Sequence, residues 1–268
     1  MKTQENRNSS IPFTKGYSEV NGLKMYYEIY GSGKPLVLIH GGGSTIQTTF
    51  GKVLGTFAEN HKVIAVELQA HGHTADRDKP SSFEQDADDV AALLKNLNIA
   101  QADIFGFSNG GTTALQIAIR HPQLVDKLIV ASAMFKKAGV PPSFWEFMKK
   151  ATFNEMPREF KDAYLAINPN QEDLLSMFNR DRSRMLAFKD IPDSVIASIK
   201  ARTLIVAGDK DVTTPEHAVE MSRLISNSSL MILPGGHGDY IGEITTLKHG
   251  NEPYRAAVLL IRQFLEEK

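Results

Sequence analysis

Apolar positions recur along this chain with two periods, one suited to strands and one to helices. Across residues 17–30, apolar and polar positions alternate on both sides of Asn21-Gly22. That pair tolerates positive φ at both positions, so it predicts a tight hairpin turn. Pro35-Leu36-Val37-Leu38-Ile39 is then continuously apolar, as expected of a central strand buried on both faces. Lys62-Val63-Ile64-Ala65-Val66 repeats the pattern. Residues 82–97 switch to the helical period. Phe83, Ala87, Val90, Leu93, Leu94 and Leu97 share one face, with Asp86, Asp88 and Asp89 mostly off it. Ser82 with Gln85 predicts a capping box at that helix's start. Ala102-Asp103-Ile104-Phe105 reads as a strand and residues 112–119 as a helix, which ends before Pro122. Leu128-Ile129-Val130, Leu204-Ile205-Val206 and Leu230-Met231-Ile232-Leu233 are further strands, and a last helix covers about residues 253–265.

Strands alternating with helices after an initial hairpin predict an α/β architecture, a mostly parallel sheet flanked by helices. The alternation breaks across residues 135–200, where only helix-like and loop sequence occurs. This stretch separates two core strands, so it is expected to be an inserted helical cap. The core is then expected over 16–134 and 201–268, with 1–15 as an N-terminal arm. The cap stretch holds seven of the 14 Phe, four of the nine Met and the only Trp, Trp145. Some of these residues must pack the cap itself, but their concentration beside the sheet edge predicts a pocket with apolar walls.

Composition narrows the function. A length of 268 residues suits one large domain with an insertion. A formal net charge of -1 and the lack of a basic block argue against nucleic acid as a partner. The chain has no cysteine, which excludes disulfides, thiolate catalysis and cysteine metal sites. No apolar run approaches the roughly 20 residues that span a bilayer, so no membrane partner is expected. The polar opening residues lack the apolar core of a secretory signal, which gives a cytoplasmic expectation. Oligomeric state is not readable.

Chemistry concentrates at strand ends. Gly106-Phe107-Ser108-Asn109-Gly110 lies between a strand and a helix, where flanking glycines permit a strained turn. Such a turn exposes the Ser108 hydroxyl at the positive end of the helix, making it a candidate nucleophile. His40-Gly41-Gly42-Gly43 follows the first core strand, and its glycines let backbone N–H groups approach a ligand. The N–H groups of Gly42 and Asn109 are the expected oxyanion-hole donors, and His40 is expected to be structural. Asp209 and Asp211 both follow the strand Leu204-Ile205-Val206-Ala207, and either carboxylate would be placed to orient a histidine. His237, between glycines after the last strand, follows Ser108 and the aspartates in chain order. His249 is the reserve histidine. His71 and His73 read as loop residues, since no acidic or histidine cluster accompanies them to make a metal site.

Together these motifs resemble the α/β-hydrolase superfamily over nearly the whole chain, from Tyr17 to the final helix. The resemblance implies an eight-stranded, mostly parallel sheet with a helical cap after the sixth strand. It also favours Asp211 over Asp209, because the acid usually closes a G-x-x-D segment. One segment departs from the pattern. Many capped members read Asp-x-Arg-Gly-x-Gly-x-Ser where this chain has Glu67-Leu68-Gln69-Ala70-His71-Gly72-His73-Thr74. That departure leaves the catalytic set intact and weakens assignment to a subfamily.

The implied activity is a serine hydrolase with catalytic Ser108, His237 and Asp211, acting on a small apolar carboxylic ester without cofactor or metal. The same triad would serve C–C bond hydrolysis, lactone opening or cofactor-free perhydrolysis. A non-catalytic ligand receptor is the alternative from another class.

Overall fold

A computed structural model describes residues 11–250 and 252–267, apart from the side chains of Lys248 and His249. Residues 1–10, the greater part of the expected N-terminal arm, lie outside the described residues. The chain enters the sheet at once. β1 (Phe13–Val20) and β2 (Leu23–Tyr30) form an antiparallel hairpin. Asn21 and Gly22 turn it with φ of 49° and 79°, as a two-residue turn requires. β1 therefore starts at Phe13, inside the stretch expected to be an arm.

The remaining core strands are β3 (Lys34–Ile39), β4 (His61–Val66), β5 (Ala102–Phe107), β6 (Val125–Ala131), β7 (Arg202–Gly208) and β8 (Ser228–Leu233). They build one eight-stranded sheet in the order β1-β2-β4-β3-β5-β6-β7-β8. The pairs from β4 to β8 are parallel, and β2 joins β4 antiparallel. Two short helices, α1 (Ile46–Phe50) and α2 (Leu54–Ala58), connect β3 to β4. α3 (Phe83–Asn96) precedes β5 and α4 (Asn109–Arg120) follows it.

Between β6 and β7 the described residues form helices and no strand: α5 (Pro142–Lys150), α6 (Arg158–Ile167), α7 (Gln171–Ala187) and α8 (Asp193–Ile196). α9 (Pro215–Leu224) links β7 to β8, and α10 (Tyr254–Glu266) ends the fold. Among the described residues no helix is long and apolar enough to cross a membrane.

Strand alternation sends side chains into two cores. Val37, Ile39 and Ile104 pack with α3 and α4 on one face. Leu36, Leu38, Phe105 and Phe107 pack with α1, α2 and α10 on the other. Burial on both faces explains the continuous apolar run of β3 and the buried Ile104 and Phe105 of β5, whose Asp103 is paired with Lys34. Each buried apolar side chain contributes about 2 kcal/mol of transfer free energy. The α3 cap is one-sided: Ser82 accepts from the Gln85 N–H at 3.1 Å, but the Gln85 side chain turns to Asp89. The connection from β3 runs to β4 on one side and that from β5 to β6 on the other, so the two leave neighbouring strands in opposite directions. This opens a crevice at the carboxyl ends of β3 and β5.

Candidate active site

That crevice receives Ser108, which stands alone between β5 and α4 with φ 55° and ψ −120°. A non-glycine residue here carries about 1–3 kcal/mol of strain, so its surroundings must hold it. They do. The Ser108 N–H donates to the Ala131 carbonyl at 2.8 Å, and its own carbonyl accepts from Gly111 and Thr112 at 2.9 and 3.1 Å. Both flanking glycines are sterically required. A Cβ on Gly106 would lie 2.0 Å from the Gly110 carbonyl oxygen, and one on Gly110 would lie 2.2 Å from that of Ile39.

The structure brings His237 and Asp211 to this serine. His237 Nδ1 lies 2.7 Å from Asp211 Oδ1, and its Nε2 lies 3.0 Å from Ser108 Oγ. An ionised carboxylate only accepts, so Nδ1 carries the proton and the Nε2 lone pair accepts from the serine hydroxyl. Burial would lower the His237 pKa, but the Asp211 hydrogen bond and charge outweigh it and raise the value above 6.5. Burial likewise would raise Asp211. The His237 hydrogen bond and charge, with donation from Ser132 and the Gly208 N–H, bring it below the ordinary carboxylate value instead. Asp209 takes no part in this chain of bonds. It accepts from the Gly235 N–H at 2.7 Å and so ties down the loop that carries His237. The reserve candidate, the His249 side chain, lies outside the described residues.

His40 is structural, as its setting suggested. Its Nε2 accepts from the Leu68 N–H at 3.1 Å, so Nδ1 is the protonated nitrogen and donates to the Gly41 carbonyl at 2.7 Å. Complete burial, with the charge of His71 beside it, lowers its pKa to about 3. In the same loop the Gly43 N–H donates at 2.5 Å to the carboxylate of Asp181, on α7. Gly42 lies against Asn109, where a Cβ would come 2.4 Å from the Asn109 side-chain nitrogen. Of the loop's last two N–H groups, Gly43 is thus committed to Asp181. Asn109 opens α4, so its N–H is among those without a partner inside the helix.

Asp181 belongs to a buried charge chain that sequence reasoning missed. Its other oxygen pairs with Arg184, which also pairs with Asp86. His71 Nε2 approaches Asp181 at 3.0 Å, while His71 Nδ1 faces the Gln69 carbonyl at 2.8 Å. The expectation that the α3 aspartates sit mostly off the buried face is therefore corrected for two of the three. Asp86 and Asp89 are buried, paired with Arg184 and Arg77 respectively. Asp86 falls one turn after Phe83 and one before Val90, so the helical period carried that signal. Its partner, 98 residues away, left none.

A cavity of about 400 Å³ opens beside Ser108, Asn109 and His237. Phe144, Phe147, Phe160 and Phe178 line it, together with all five Met between β6 and β7. Trp145 is not among the lining residues. It packs edge-on against Phe144 and donates to the Lys137 carbonyl at 2.9 Å. The basic side chain in the lining, Arg182, donates to the carbonyls of Met148, at 3.0 Å, and Lys149.

A family model described as alpha/beta hydrolase fold matches residues 34–177. The chain is 28% identical over 230 residues to serine hydrolase BPHL of Homo sapiens, covering 81% of this chain and 77% of that protein. It is 27% identical over 216 residues to the 2-hydroxymuconate semialdehyde hydrolase of Pseudomonas sp. strain CF600, covering 72% and 76% respectively. Among solved structures, Est816, described as an N-acyl homoserine lactone degrading enzyme, superposes with a TM-score of 0.72 at 25% identity, covering 93% of this chain and all of that one (100%).

Proposed function

Since this chain belongs to the α/β-hydrolase fold family, we propose that it is a serine hydrolase that cleaves a small, uncharged, apolar carboxylic ester through an acyl-enzyme. The observation that carries this reading is the unbroken line Asp211–His237–Ser108, with contacts of 2.7 and 3.0 Å, ending on a strained serine at a helix N-terminus.

Ser108 Oγ attacks the ester carbonyl carbon as its proton passes to His237 Nε2. Asp211 holds the imidazole in the required tautomer and stabilises the imidazolium that forms. The N–H groups of Gly42 and Asn109 receive the developing oxyanion, and one such donor is typically worth ~10²–10³ in rate. His237 then protonates the departing alkoxide. Water, deprotonated by the same histidine, attacks the acyl-enzyme and releases the acid, and the proton returns to Ser108. Residues 135–200 act as the cap that supplies the apolar wall.

The relatives named above include a 2-hydroxymuconate semialdehyde hydrolase, and C–C bond hydrolysis and lactone opening are served by the same triad. Arg182 bears on the first of these readings. A muconate-type substrate carries a carboxylate, and the guanidinium in the cavity wall already donates to two main-chain carbonyls. With those donors committed, an uncharged ester or lactone fits the largely apolar wall better than a carboxylate does.

The test is covalent and kinetic together. A fluorophosphonate probe is expected to label the wild type and not Ser108→Ala, and that variant should lose at least about 10⁴-fold of its activity on short p-nitrophenyl esters. Wild-type rates in a folded Ser108→Ala protein, or an unlabelled wild type, would end this reading.

A further inference from the structure

The three consecutive glycines after His40 have little conformational preference of their own, so the oxyanion loop needs outside restraints. On one side His40 Nδ1 donates to the Gly41 carbonyl at 2.7 Å, and the Gly41 N–H reaches Thr49 Oγ1 at 3.4 Å. On the other, the Gly43 N–H is held at 2.5 Å by Asp181, a carboxylate that arrives from α7. Gly43 itself has φ +68°, a left-handed conformation that suits glycine. Gly42 is left between two fixed points, facing Asn109.

Asp181 lines the cavity, yet a lone carboxylate beside a developing oxyanion would repel it. The charge chain removes that difficulty. Both His71 ring nitrogens face oxygens that only accept: Nδ1 the Gln69 carbonyl, and Nε2 the Asp181 carboxylate. Both must donate, so His71 is an imidazolium. Asp86, Arg184, Asp181 and His71 then alternate in sign and sum to zero. Both Asp181 oxygens are engaged by these partners, so the carboxylate is not placed to accept a substrate proton.

We propose that Asp181 is a positioning residue for acyl transfer: by taking the Gly43 N–H, it sets the glycine loop so that the Gly42 N–H meets the oxyanion. This rests on the serine-hydrolase reading above and adds a dependence to it. The oxyanion hole is complete only when α7 is seated, because its aim comes from a side chain of that helix.

The experiment compares wild type, Asp181→Ala, Asp181→Asn and the double variant D181L/R184M, which removes one charge of each sign. It measures kcat and KM on a p-nitrophenyl ester. It also measures affinity for a trifluoromethyl ketone, to which the serine adds to form an oxyanion, and for its methyl ketone analogue, which binds without addition. Asp181→Ala is expected to lose about tenfold to a hundredfold in kcat, with KM changed less than about threefold. Trifluoromethyl ketone affinity should fall by a similar factor while methyl ketone affinity holds. Asp181→Asn keeps an acceptor for Gly43 and should recover most of kcat. If Asp181→Ala does not fold, the charge-balanced double variant should show the same loss. Unchanged kcat in either folded variant overturns the proposal, as does an equal loss of affinity for both ketones. Fluorophosphonate labelling keeps the two readings apart: an inert wild-type serine sinks both, whereas a reactive one with unperturbed variants sinks this one alone.

Discussion

Ser132 donates its hydroxyl to Oδ2 of Asp211, while the opposite oxygen, Oδ1, holds His237 at 2.7 Å. Ser132 lies just past the end of β6 with φ 49°, and its Oγ also meets the Tyr240 hydroxyl. Because Ser132 gives its proton to the carboxylate, the Tyr240 hydroxyl must donate to Ser132. Two hydroxyls in series thus back the acid. Removing a hydrogen bond to a charged group costs about 1.5–3 kcal/mol where the group stays buried. Only part of that reaches the histidine. Ser132→Ala is therefore expected to lower kcat by about tenfold with little change in KM. Steady-state kinetics check this, and a kcat within twofold of wild type would show that Asp211 needs no such support.

Activity should also carry the signature of the Asp211–His237 pair in its pH dependence. A general base works only when deprotonated, and Asp211 raises the His237 pKa above 6.5. The acid limb of kcat/KM is accordingly expected to have its midpoint above 6.5, with rate rising as pH rises through it. Asp211→Asn removes the charge and favours the wrong tautomer. It should cost about 10⁴-fold in kcat and move the limb to lower pH. A midpoint below 6.5 in the wild type would contradict the pairing.

These residues differ in how far the sequence alone exposed them. The Ser108 turn was legible because its constraint is local: Gly106 and Gly110 are required by backbone atoms that any strand–turn–helix brings together. The positions of the central strands were legible too, since burial on both faces leaves a continuous apolar run in β3 and an apolar segment in β5 interrupted by Asp103. Their order in the sheet was not. Asp209 and Asp211 were not separable from pattern alone, since both follow β7, and the family resemblance favoured Asp211. Distance then separates their partners: Asp211 reaches His237, and Asp209 reaches the Gly235 N–H. Asp181 left no local trace. It sits on a largely polar helix, and its contacts with Gly43 and His71 span 138 and 110 residues. Trp145 is one of the residues of that stretch that pack locally, against Phe144 and the Lys137 carbonyl, instead of lining the cavity, and composition alone did not say which residues those would be.

Five histidines contribute to the pH dependence of stability, and their signs divide at 6.5. Burial lowers His40 to about 3, His217 to about 4 and His61 in the same direction. Below 6.5 the unfolded chain binds protons at these sites that the folded chain refuses, so stability falls as pH drops from 6.5 toward those values. His71 and His237 are shifted upward: burial opposes the shift, but Asp181 and Asp211 outweigh it. Their contribution is complete below 6.5 and is lost as pH rises through their folded values. The histidines alone thus place maximum stability near 6.5, with a loss on either side. His217 gives the cleanest test, because its Nε2 accepts from the Phe135 N–H at 3.1 Å, far from Ser108 in sequence and outside the cavity lining. His217→Gln is expected to lower the urea midpoint at pH 7 and to flatten its decline between pH 6 and 4.5, since one proton fewer is taken up on unfolding. Parallel declines in wild type and variant would show that His217 is already protonated in the folded protein.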